Sequence, residues 1–142
     1  MFVKEIMKSK ASMIAIENPM GCIGTRIDAT EYGFSSKKAA QYIQPYNFGH
    51  DASKNTGLWL KGLGKLTATE YVAPRLVCCG LTLEEGVGER GCANCNGDKK
   101  PLQRWGNQTN SGQNKLAPSK DRAAIRAKTY SGWAKAMADQ WG

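Results

Sequence analysis

The spacing of apolar side chains changes character several times along the chain. Phe2 and Ile6, and Val3 and Met7, recur four residues apart, which predicts a short helical turn over 1–8. Ala11 to Glu17 reads as a strand, and Asn18-Pro19-Met20-Gly21 supplies the turn that ends it. Cys22 to Tyr32 alternates in part, through Ile23, Thr25 and Ile27, and predicts a second strand. Ser35 or Ser36 can cap a helix running through Lys37, Ala39, Ala40, Tyr42 and Ile43. Pro45 stops it, because proline lacks an amide donor and disfavours helix at the preceding residue. Residues 46–57 read as a polar loop containing the only histidine, His50.

Leu58 to Leu66 is apolar but interrupted by Gly62 and Gly64. Thr67 to Cys79 is the richest strand region, with Tyr71, Val72, Leu76, Val77 and Cys78, and Pro74 splits it or places it at an edge. Residues 80–100 are Gly-rich and loop-like. Residues 101–118 are almost wholly polar, the composition of an extended arm. Beyond an N-cap at Ser119, Ala123, Ala127, Tyr130, Ala134, Met137 and Trp141 follow at steps of three and four. That is the apolar stripe of one helix of about five turns. Gly132 falls on its polar face, at a cost of about 1 kcal/mol relative to Ala.

These elements predict an α+β fold. A small, Gly-rich mixed body with short strands occupies 1–100, an extended polar arm 101–118, and a basic amphipathic helix 119–142. The total of 142 residues suits one modest core. Mean hydropathy is −0.50 and no apolar run approaches the roughly 18 residues of a membrane span, which excludes a membrane protein. No stretch has the apolar core of a signal peptide, so the expected place of synthesis and use is the cytoplasm, or a virion assembled there.

Charge adds an asymmetry. The net charge is +8. Residues 1–98 are nearly neutral, whereas 99–142 hold nine basic residues and two acids, a net +7. A charged end of this kind is expected to touch a polyanion or an acidic protein face.

The chemistry that remains is that of cysteine. Cys92-Ala93-Asn94-Cys95-Asn96-Gly97 has the form of a metal knuckle: two thiolates spaced by two residues grip one ion, and the glycine lets backbone amides turn toward the sulfurs. Cys78 or Cys79 would complete a zinc site, with the other of that pair, Cys22 or His50 as an outlying ligand. Adjacent cysteines are expected to diverge on an extended backbone. Free thiols and disulfides stay open beside zinc, and the odd count of five leaves one cysteine unpaired within the chain. The cofactor expectation is therefore none, or one structural zinc.

Catalytic patterns are missing. One histidine allows no multi-histidine site, and Gly62-Leu63-Gly64-Lys65 lacks both the upstream glycine and the following hydroxyl of a phosphate loop. Glu84, Glu85 and Glu89 could face a cation or a basic partner. The expected function is non-enzymatic: a structural subunit of a larger assembly, such as a phage-like capsid, neck or tail component. It would dock neighbouring subunits through Trp105, Arg122, Arg126, Tyr130, Trp133, Met137 and Trp141. The alternative is a zinc-stabilised nucleic-acid-binding protein using Lys99, Lys100, Arg104, Lys115 and Lys120 on phosphates.

Overall fold

The computed structural model describes residues 2–19, 23–82, 87–88 and 90–142. Cys22, Glu84, Glu85 and Glu89 lie outside the described residues. The fold is α+β, with short strands in small antiparallel sheets and helices at both ends. Among the described residues no helix is long and apolar enough to cross a membrane. The chain forms two compact units, each assembled from separated stretches: 1–44, 54–69 and 134–142 make the first, and 45–53 and 70–133 the second.

The first unit is organised by burial. Helix α1 (Phe2–Met7) forms where the four-residue spacing predicts it and buries Met7. Strand β1 (Ile14–Pro19) alternates as expected, with Ile14 and Ile16 buried and Ala15 exposed. It pairs antiparallel with β3 (Thr56–Lys61), which also pairs with β2 (Gln41–Ile43), giving the order β1-β3-β2. Every residue from Thr56 to Leu60 is buried, as a central strand covered on both faces requires. Gln41 locks the end of this sheet by exchanging two side-chain hydrogen bonds with the backbone of Leu66 (2.6 and 2.7 Å).

Two elements of this unit differ from the pattern-based expectation. Cys22–Tyr32 is not a strand: α2 (Ile23–Arg26) and a 3-10 turn (Ala29–Tyr32) occupy the described part of it. Ile23 and Ile27 are both buried and stand four apart, so the same residues that alternate also fit one helical face. Asp28 then caps the 3-10 turn, accepting from Thr30 N (3.1 Å) and Thr30 Oγ1 (2.6 Å). The helix expected over 35–43 is likewise replaced, by coil and β2. Backbone pairing of Ser35 N with Leu60 O and of Ala40 N with Leu58 O ties this stretch to the edge of β3. A long-range partner overrides local propensity here.

In the second unit, β4 (Arg75–Cys78) follows Pro74 and lies between β5 (Leu81–Thr82) and β8 (Leu102–Arg104). A two-residue hairpin, β6 (Val87–Gly88) with β7 (Gly91–Cys92), sits beside this sheet in sequence. The segment 101–118 is not an extended arm. Its β8 pairs with β4, and 107–115 folds into a compact loop closed by Lys115 N to Asn107 O (2.9 Å) and Thr109 N to Gln113 O (2.8 Å). Polar composition misleads because the loop is held by side chains acting on backbone. Arg75 donates to the carbonyls of Trp105 (2.7 Å) and Gln108 (2.5 Å), and Arg104 Nε donates to that of Asn110 (3.1 Å).

The C-terminal segment is mostly helical, but in two pieces, α3 (Arg122–Ala127) and α4 (Ser131–Trp141), rather than the one helix expected over 119–142. Lys128 adopts an extended conformation (φ −64°, ψ 132°), which resets the register. The stripe therefore shifts. Trp133 and Ala136 are buried, whereas Ala123, Ala127 and Ala134 are exposed. Ser119 does not cap with its side chain; its carbonyl accepts from Arg122 N (3.2 Å). Gly132 is not on an open face either, because a Cβ there would overlap the carbonyl oxygen of Phe48 and come within 2.9 Å of His50 Nε2.

Candidate metal centre

Two tight turns converge in the second unit. The first follows β4: Cys78 ends the strand, and Cys79 (φ 51°) and Gly80 (φ 83°) reverse the chain into β5 through the left-handed region. The second follows β7: Cys92 opens a 3-10 turn (Ala93–Cys95), and Asn96 (φ 48°) and Gly97 (φ 80°) close it. Gly97 thus does what a knuckle glycine is expected to do, supplying a positive φ at no steric cost. Gly91 is needed just as directly. Its φ is 110°, and a Cβ there would lie 2.6 Å from Lys99 O and 3.2 Å from Cys95 Sγ.

The result is a group of four sulfurs. Cys78 Sγ stands 3.5 Å from Cys95 Sγ and 3.9 Å from Cys79 Sγ, and Cys92 Sγ stands 3.8 Å from Cys95 Sγ. All four lie within 4.8 Å of one another, in an arrangement that can hold a metal ion. A tetrahedron of thiolates about 2.3 Å from a central ion has edges of about 3.8 Å, close to these three separations. They are far longer than the roughly 2.05 Å of a disulfide, and all four cysteines are free. The expected divergence of the adjacent cysteines is corrected: the left-handed turn at Cys79 brings its side chain back toward that of Cys78, so that of the fourth ligands considered it is the other of the pair that joins the group. Sequence patterning misses this because a positive φ is uncommon for a non-glycine residue.

The sulfurs are not equivalent. Cys78 and Cys92 are buried, Cys95 is half-buried and Cys79 is exposed. Burial pushes the Cys78 thiol up to about 12, with the Cys95 and Cys92 side chains adding to the rise. The backbone at Cys92 and Lys99 holds Cys95 down to about 6. The Cys92 side chain, then burial, raises Cys79. A cation at the centre of the four sulfurs would favour their ionised form. Val87, Leu76 and Leu81 pack around the buried Cys78 and Cys92.

The other predicted ligands and contact residues fall elsewhere. His50 is not an outlying ligand: its Nε2 accepts from Gly132 N (2.8 Å) and stands 3.4 Å from Ser131 Oγ, at the start of α4. Lys99, Lys100, Lys115 and Lys120 are exposed, the first two directly after the second knuckle. Arg104 is turned inward onto the carbonyls of Asn110, Gln103 and Ser111, which ties the loop rather than leaving the guanidinium to a phosphate. Trp105 is buried, stacks on Tyr46 at 4.1 Å and donates its Nε1 proton to Val72 O (3.1 Å). Trp133 is fully buried beside Tyr130. Both tryptophans therefore serve the chain's own core, not a docking face. Trp141 donates to Gly64 O (3.1 Å), while Met137, Tyr130 and Arg122 are half-buried and Arg126 is exposed. Arg75, which pattern reading passes over, organises the loop after β8. The one available signal was its position as the only basic residue in the strand-rich region Thr67 to Cys79.

No protein-family model matches the chain, and neither a curated protein nor a solved structure shows significant similarity to it.

Proposed function

We propose that the protein is a non-enzymatic nucleic-acid-binding module whose second unit is stapled by one structural zinc ion on Cys78, Cys79, Cys92 and Cys95. The observation that carries this reading is the convergence of four sulfurs within 4.8 Å from two separate turns. A closed set of four thiolates leaves no coordination position for a substrate, which favours a structural over a catalytic role. Four bound thiolates around a divalent ion leave a net charge of −2, and the exposed Lys99 and Lys100 that follow the knuckle suit that charge. Those two, with Lys115 and Lys120, are the exposed cations offered to phosphates. Four phosphate contacts give a slope of log K against log salt of about −3 on single strands and about −4 on duplex DNA. Elemental analysis tests the metal, with one zinc per chain expected. Titration with single- and double-stranded DNA and RNA at several salt concentrations tests the ligand. Absence of both zinc and salt-sensitive binding removes the reading.

A second reading, a structural subunit of a larger assembly such as a virion, draws on α3. That helix buries no residue, and Ile125 is 46% exposed on it. Under this reading Ile125→Glu abolishes association seen by light scattering, and unchanged association speaks against it.

A further inference from the structure

We propose that Cys79 is the redox-reactive position of the cluster: a hydroperoxide oxidises its sulfur, a cysteine of the facing knuckle captures it in a disulfide, and the metal is released. The inference rests on the zinc reading above and concerns the regulation of that same site.

Access singles out the residue. Of the four sulfurs Cys79 is the exposed one, and oxidation follows exposure as well as thiolate character. Space around it points the same way: Cys79 sits at the tip between β4 and β5, and a Cβ at the neighbouring Gly80 would meet nothing within 4 Å. The tip of the turn next to Cys79 is thus open among the described residues. Inside the cluster, each other sulfur is near enough to act as the second thiol, because all lie within 4.8 Å.

Geometry also selects the partner. Cys78 Sγ is 3.9 Å away, but the Cα atoms of adjacent residues are only about 3.8 Å apart. That is below the roughly 4.4–6.8 Å over which a disulfide closes without strain. Cys92 and Cys95 come from the other turn and carry no such restriction.

The steps balance. The Cys79 thiolate attacks one oxygen of the hydroperoxide, the O–O bond breaks, and the alcohol or water leaves with a proton from solvent, giving a sulfenic acid. A second thiolate, Cys92 or Cys95, attacks Cys79 Sγ; the S–S bond forms and hydroxide departs, taking a proton to become water. Two sulfurs lose one electron each and the peroxide gains both. The two remaining thiolates hold zinc weakly, so the ion is lost with its oxidation state unchanged. A dithiol reductant reverses the sequence.

The test treats the reduced full-length chain with one equivalent of hydrogen peroxide, follows released zinc with a chromogenic chelator and maps the modified cysteines by mass spectrometry. The expected result is one zinc released per disulfide, with Cys79 bridged to Cys92 or Cys95 and with Cys79 the first sulfur alkylated by iodoacetamide. First modification at Cys78, Cys92 or Cys95 in the wild-type chain overturns the inference and leaves the metal reading standing. A chain isolated without zinc removes the metal reading. Cys79 entering the disulfide first would then still uphold it as the reactive position.

Discussion

The two units reach stability by different means. The first is built around a strand buried from Thr56 to Leu60 and an apolar cluster that includes Met7, Ile14, Ile16, Ile23, Phe34 and Trp59. The second buries Phe48, Trp105 and Trp133, but its strands are short, and its cysteine end rests on a small buried group of Cys78, Val87 and Cys92 and on an arginine that clamps a loop by its carbonyls. Burial of apolar area is non-directional and tolerates local change, whereas ligand cages and hydrogen-bonded clamps fail when one member is lost. Among the described residues, the two cysteine turns of the second unit have only Val87, Leu76 and Leu81 packed around them, and a staple would order them, which is the physical case for a metal at that place.

That contrast can be broken at several points. Cys92→Ser should have the largest effect, abolishing stable zinc loading and loosening the second unit; elemental analysis and near-UV circular dichroism read it. Leu58→Ala should destabilise the first unit by about 3 kcal/mol in chemical denaturation while leaving the zinc content intact. Arg75→Met removes charged hydrogen bonds to two carbonyls and should cost about 2 kcal/mol, with Arg75→Lys giving little rescue because one ammonium cannot span both. Gly132→Ala tests a sign. Helix propensity alone predicts a gain of about 1 kcal/mol. The overlap with Phe48 O predicts a loss of about 1–3 kcal/mol instead, read as a lower Tm.

The smallest effect concerns pH. The hydrogen bond from the Thr30 hydroxyl, with the Thr30 amide and Lys37, holds the Asp28 carboxyl below its ordinary 3.8. A lowered folded-state value means that the contribution is complete above the ordinary value and is lost as pH falls through the lowered one. Asp28→Asn should therefore flatten slightly the acid end of the stability profile and leave it unchanged near neutrality.

What the sequence disclosed follows from the range of the interactions involved. The four-residue spacing in α1, the alternation in β1 and the Cys92–Cys95 knuckle with Gly97 are local signals, and the structure contains each of them. The pairing of both Cys78 and Cys79 with that knuckle depends on a left-handed cysteine, which composition does not mark. The folding of 101–118 depends on Arg75, some thirty residues upstream. Ile23 and Ile27 fit a strand and a helix equally well until Asp28 is read as a cap. The stripe through 119–142 was legible as helix, but the extended Lys128 moves its buried face to Trp133 and Ala136.

The central claim is that a metal held by four cysteines orders the second unit alone. Hydrogen–deuterium exchange before and after extraction of zinc by a strong chelator under reducing conditions tests it most directly. The account predicts that amides of 75–82, 87–88 and 90–104 lose protection while those of 14–19, 41–43 and 56–61 keep it. Unchanged exchange at 75–104, or equal loss in both units, would contradict it.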